Sequence, residues 1–297
     1  MLCRFFVCLQ GFKDTVNISL LGLAISDLMS LVTSLWVSIC WNPLMYYADL
    51  PFIPGDVEYL TGSIPHLIFT RVTGWITAFV AFERCLCIAL PLRVKTIVTP
   101  RRATWLIVAI FILVGAAHST AFYTTGLDAV FDAARNRTLL GLVARPRSDE
   151  INSVSYSVNL VSPFGSFVLV LVCTAVTSAQ LRQKSAWRVK SVAGTALKST
   201  PGISGKDQKI IKMVVVISIV FIVSYLPANV MHMMYCTIAD EPSLVTAYWT
   251  YMSVAFSFIK VLEAVNASVS IVLYYTMSSR YRAGFWAIFG KGSDDTK

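Results

Sequence analysis

Six long apolar runs constrain this chain more than anything else in it. They cover residues 16–40, 60–90, 103–123, 155–180, 209–236 and 247–275, and each meets the ~20 residues a helix needs to cross the hydrocarbon core of a bilayer. Within a bilayer every backbone polar group has to be satisfied inside the span, so runs of this length fold as helices. Only 14% of the residues are charged, against about 25% in soluble domains, and the mean hydropathy is +0.67. The expected fold is an all-α membrane bundle in a single domain, residues 1–297.

Loop charges orient the bundle. The segment from Trp41 to Tyr59 holds Asp49, Asp56 and Glu58 and no Lys or Arg, whereas the next loop carries Arg93, Lys95, Arg101 and Arg102. The loop from Gln180 to Lys209 carries Arg182, Lys184, Arg188, Lys190, Lys198 and Lys206. By the positive-inside rule the two basic loops are cytoplasmic. The net charge of +9 therefore reads as a topology signal and not as a nucleic-acid surface. The loop from Thr124 to Val154 is then extracellular, and its Asn136-Arg137-Thr138 triplet makes Asn136 a glycosylation candidate. The C-terminus is cytoplasmic. Residues 1–12 are apolar but too short to span, and read as the inner end of a first span whose remainder lies outside a truncated chain. Residues 278–290, with aromatics interleaved between Arg280 and Arg282, suit a helix lying against lipid in the inner interface. The seven cysteines are scattered without metal-ligand spacing.

Polar groups inside the spans are the functional candidates, because their burial is costly. Glu83 and Arg84 are adjacent near the end of the second full span, where the acid can hold the guanidinium. Asp27 lies mid-span; with Thr73, Asn266, Ser268 and Ser270 on other helices it could gather hard oxygens around a sodium ion, or stay a protonated or water-bridged structural residue. Pro163 and Pro227 each remove a backbone hydrogen bond and kink a helix, and with Phe221 and Tyr225 make a plausible hinge. His66, Thr70, Arg71, Asn229, His232, Lys260 and Glu263 suggest a polar ligand cavity opening outward. Lys260 and Glu263 stand three residues apart, a spacing that allows them to pair. No phosphate loop, HExxH, nucleophile elbow or facing pair of carboxylates is present, so the chain is not expected to be an enzyme.

These features resemble a rhodopsin-like (class A) G-protein-coupled receptor. Leu23-Ala24-Ile25-Ser26-Asp27 looks like the second-helix LAxxD motif, Glu83-Arg84-Cys85 followed by Pro91-Leu92 like the DRY motif and its loop proline, and Phe221 with Ser224-Tyr225-Leu226-Pro227 like FxxCWxP with Tyr for Trp. Ser270-Ile271-Val272-Leu273-Tyr274 looks like NPxxY with Asn and Pro both replaced, and Tyr281-Arg282 falls where the interfacial helix carries its aromatic–basic pair. The family's disulfide from the third helix to the second extracellular loop is absent: Tyr59 stands at the helix position and the loop has no cysteine. That absence, the Glu-Arg-Cys triplet and the Pro54-Gly55-Asp56 loop resemble, more narrowly, molluscan chemosensory-type receptors.

The resemblance implies a seven-transmembrane-helix bundle of which six helices are complete here, at the plasma membrane, with an extracellular small-molecule or peptide ligand, a heterotrimeric G protein as partner and no cofactor beyond the sodium ion. It also implies that Arg84, held by Glu83 and Asp207, forms an ionic lock that opens with Tyr274 nearby. Amine receptors place an aspartate where His66 stands, and opsins place the retinal lysine where Ala264 stands, which argues against both ligand types. Arg71 and Lys260 favour a ligand with an anionic or carbonyl group. The competing readings are a non-signalling receptor fragment or partner and, behind it, a six-span transporter or channel.

Overall fold

A computed structural model describes residues 15–90, 93–133, 135–145, 148–192, 205–238, 242–277 and 286. The first-span remnant at 1–12 lies outside these residues, as does the interfacial helix at 278–290 apart from Trp286. Among the described residues six helices are long and apolar enough to cross a membrane.

The first of them, α1 (Thr15–Cys40), buries Ile18, Ser19, Gly22, Leu23, Ser26, Asp27, Ser30, Thr33 and Val37 along one face, the three-and-four spacing of a helix packed on one side. Its Gly22 lets a neighbour come close: a Cβ there would lie 2.9 Å from Cγ2 of Ile107. A short α2 (Pro43–Tyr47) follows, capped by Asn42, whose Oδ1 accepts from the Leu44 amide at 2.9 Å. Then α3 (Pro54–Glu58), a π-helical turn (Tyr59–Ser63) and α4 (Ile64–Ala89) run on without a break, so the second apolar run begins earlier than its hydrophobicity indicates.

After α5 (Val94–Ile97), helix α6 (Pro100–His118) starts with proline at its first position behind Thr99, where the missing amide costs nothing. It breaks at Ser119 and resumes as α7 (Thr120–Thr124), so the run expected at 103–123 is two helical pieces. The remaining spans belong to α8 (Ser148–Val192), α9 (Gly205–Ile238) and α10 (Pro242–Met277). At 1.5 Å per residue, α8 is about 68 Å long, over twice a hydrocarbon core, and must project beyond the bilayer.

The segment expected as a plain loop between the third and fourth full spans is a β-hairpin. Strands β1 (Thr125–Asp132) and β2 (Arg137–Ala144) pair antiparallel from Thr125 opposite Ala144 to Asp132 opposite Arg137. The turn between them places Asn136 at φ 49°, a left-handed conformation that Asn tolerates better than most residues.

Helix α4 is the axis of the bundle. Its Val72, Ile76 and Val80 join Ile18 and Leu23 of α1, Ile107 and Val114 of α6, and Met213, Val214 and Ile217 of α9 in one core. A second cluster joins Ala78 to Phe167 and Val170 of α8 and to Phe221 and Tyr225 of α9. The outward side chains Trp105, Ile112 and Leu113 of α6, like Val161 and Val168 of α8, are exposed. In water such a surface would be a liability; in lipid it is the solvated face.

Candidate functional site

The polar groups inside the bundle fall into four tiers, each anchored on α4. At the end carrying the basic loops, Nη2 of Arg84 lies 2.8 Å from Oε1 of Glu83. The same carboxylate oxygen accepts the hydroxyl of Thr15, at the start of α1, at 2.5 Å. Both charged residues are buried, and Glu83 Oε2 and Arg84 Nε find no further protein partner among the described residues. Arg84 faces Thr174 and Thr177 of α8 and Ser218 of α9 across a cleft too narrow for a water molecule. This end is closed. The backbones of Asp207 and Tyr274 belong to α9 and α10, but their side chains lie outside the described set.

One tier up, Thr73 donates to Asp27 Oδ1 and approaches Ser26 Oγ, both at 2.9 Å. The Ser270 hydroxyl of α10 donates to the Asn266 carbonyl at 3.2 Å. Asp27, Thr73, Asn266 and Ser270 are all buried. Ser268 is exposed and turns to the carbonyl of Ala264 at 2.8 Å, so it takes no part, contrary to expectation. Among the described residues Asp27 Oδ2 is buried without a partner. An orphaned carboxylate oxygen among hydroxyls and an amide is a donor set that fits a hard cation.

The third tier is the proline level. Phe221 and Tyr225 stack with ring centroids 4.5 Å apart and planes 26° from parallel, one turn below Pro227. Opposite them, Ser166 donates to the carbonyl of Pro163 at 3.1 Å, and Trp75 Nε1 ties α4 to Ser162 of α8 at 3.1 Å. Between these helices Thr70, Arg71, Gly74, Pro163, Ser166, Phe221, Tyr225 and Asn229 line a cavity of about 10 Å³, room for one water molecule. Asn229 spends its Nδ2 on the carbonyl of Tyr225 at 2.9 Å, leaving its Oδ1 and the Arg71 Nε without partners among the described residues.

The outermost tier is a three-helix knot. His66 Nδ1 lies 3.1 Å from the Ser30 carbonyl and 3.4 Å from its hydroxyl, while Nε2 meets Glu263 Oε2 at 3.0 Å. One imidazole thus joins α1, α4 and α10. The spacing that suggested a Lys260–Glu263 pair is overruled, because the Glu263 carboxylate turns to His66 across the bundle. Lys260 and His232 are half-buried on α10 and α9. Of the seven expected cavity residues, Thr70, Arg71 and Asn229 share the water-sized chamber and His66 and Glu263 share the knot.

Sequence reasoning missed the mouth. Glu58, 2% exposed, accepts from Trp41 Nε1 at 3.0 Å and from the Ser63 hydroxyl. A carboxylate directly before the tyrosine that begins the π-helical turn was its only signal. Asn136, on the exposed turn of the hairpin, is accessible.

Comparison with known proteins agrees with this arrangement. The model of the family described as 7 transmembrane receptor (rhodopsin family) matches residues 1–269. The human neurotensin receptor type 1 is 25% identical over 296 residues, covering 94% of this chain and 68% of that receptor. The galanin-like G-protein coupled receptor npr-9 of Caenorhabditis elegans is 22% identical, covering 93% of this chain and 66% of that receptor. The rabbit (Oryctolagus cuniculus) growth hormone secretagogue receptor type 1 is 25% identical, covering 95% of this chain and 73% of that receptor.

Proposed function

The chain belongs to the rhodopsin family of seven-transmembrane receptors, and we propose that it binds an extracellular peptide at the plasma membrane and activates a heterotrimeric G protein. The observation that carries this reading is Arg84, held by Glu83 under a closed cleft between α4, α8 and α9. A buried arginine paired with its own neighbour is poised to change partners when the cleft widens. The stacked Phe221 and Tyr225, with Pro227 and Pro163, form the hinge about which the inner half of α9 swings outward. Asp207, near the start of α9, is the second holder of Arg84, and Tyr274 lines the opened groove.

A ligand drives this only through its greater affinity for the open arrangement. It enters over the knot of His66 and Glu263 and approaches Thr70, Arg71, Asn229, His232 and Lys260; the two cations favour a carboxylate or carbonyl group. The peptide class rests on the relatives named for neurotensin and galanin, ahead of the molluscan chemosensory resemblance. Asp27, Thr73, Asn266 and Ser270 would hold a sodium ion, whose charge would offset the buried carboxylate and favour the closed bundle. A glycan on Asn136 would mark the hairpin as extracellular.

The test is a library of peptides, amidated and free, applied to cells expressing the receptor with a promiscuous G-protein reporter. A peptide response absent from mock cells supports the reading. Responses to small organic odorants alone would replace the peptide by a chemosensory ligand.

A further inference from the structure

The outer edge of the hairpin on the β2 side faces the first loop, and the segment before α3 is fitted to it. Along β2, successive residues alternate direction, so the amides of Leu140 and Leu142 point to the same side. Both are taken up by the other loop: Leu140 N–H donates to the Pro51 carbonyl at 3.1 Å, and Leu142 N–H donates to Asp56 Oδ2 at 2.9 Å. In return the Ile53 amide donates to the Leu140 carbonyl at 2.9 Å, with Phe52 and Leu140 forming a parallel bridge. At the turn end, Arg137 donates to the Leu50 carbonyl at 3.0 Å and pairs with Asp49. Gly141 keeps the approach close, since a Cβ there would lie 3.0 Å from Asp56 Oδ2 and 3.1 Å from Val130.

This edge is polar, specific and cysteine-free: no cysteine lies between Cys87 and Cys173. The base on which the first loop rests is itself fixed, by Glu58 holding Trp41 and Ser63. An edge strand with unpaired amides otherwise has to be covered or charged; here a neighbouring loop covers it as a short third strand ending in a carboxylate.

We propose that the segment from Asp49 to Asp56 is a non-covalent strap that fastens the hairpin over the outer mouth of the bundle, with Asp56 and Arg137 as its two fasteners. The strap does the positioning that a disulfide would otherwise do, so the hairpin stays fastened in reductant and is released by loss of a carboxylate. Its placement on the extracellular face rests on the orientation proposed above; its existence does not.

Hydrogen–deuterium exchange on the receptor in lipid nanodiscs tests this without ligand or G protein, so its outcome is separable from that of the signalling reading. In the native chain, peptides spanning 137–144 should be protected and indifferent to a phosphine reductant. Asp56→Ala should speed their exchange about tenfold, the loss of one hydrogen bond that gates local opening. Asp56→Asn, which keeps a carbonyl acceptor, should retain most protection, and Arg137→Gln should loosen the turn end more than the Leu142 end. Where Asp56→Ala fails to fold, the same substitution is made with Phe52→Cys and Leu140→Cys. Bridge partners about 5 Å apart lie within disulfide reach, and oxidised glutathione closes the bond, leaving as two thiols. That bond should restore protection, and reductant should then remove it. Unchanged exchange in Asp56→Ala, or release of the native hairpin by reductant, overturns the strap.

Discussion

His66 and Glu263 meet at 3.0 Å although 197 residues separate them in sequence. With Ser30 on the other ring nitrogen, the His66 side chain joins α1, α4 and α10. Removing the carboxylate strands a buried imidazole, at a cost of about 2 kcal/mol. Glu263→Ala should therefore lower the melting temperature of the purified receptor clearly, and Glu263→Gln, which keeps an acceptor, should lower it less. Equal melting of all three proteins would show that the knot is not structural.

On the proposed lock, Asp207→Ala should raise basal nucleotide exchange on a co-reconstituted G protein severalfold, because Arg84 would lose its proposed second holder on α9. Basal exchange equal to the native receptor's, at equal surface expression, would remove Asp207 from the lock.

Asp27 leaves one buried oxygen without a partner among the described residues. Sodium should stabilise the native receptor in proportion to log concentration above its dissociation constant, by about 2.7 kcal/mol at one hundred times that value, read as a rise in melting temperature. Asp27→Asn should abolish the sodium dependence while potassium affects neither protein. A sodium effect that survives the substitution would place the ion elsewhere.

Two glycines separate packing from propensity. Gly22→Ala drives a Cβ to 2.9 Å from Ile107 and should destabilise by about 1–3 kcal/mol. Gly115, within α6, has open space around it, so Gly115→Ala should be neutral or stabilise by up to about 1 kcal/mol. Thermal melting of the two variants side by side reads the difference.

What could be read from sequence was what is expressed locally. Spans and the adjacent Glu83–Arg84 pair follow from apolar runs and neighbouring charges. The contact of Asp27 with Thr73 follows because a carboxylate in an apolar span must find oxygens somewhere. The partner of Glu263 could not be read this way. Spacing along one helix offered Lys260, but the choice was made by which helix faces α10, a property of packing. The hairpin escaped for a related reason: its strands are short, and what stabilises β2 along its outer edge is the Pro51–Asp56 segment over eighty residues earlier. The water-sized chamber at Arg71 likewise depends on how closely Phe221, Tyr225 and Pro163 approach, so a run of polar residues suggested a wider cavity than the packing leaves.

The account turns on Arg84 as the group that Glu83 holds and activation frees. The most direct measurement is basal nucleotide exchange on a G protein for the native receptor, Glu83→Gln, and Glu83→Gln with Arg84→Ala, at matched surface levels. The account predicts that Glu83→Gln raises exchange severalfold and that adding Arg84→Ala returns it to background. Exchange in Glu83→Gln no higher than native, or exchange that persists without Arg84, would contradict it.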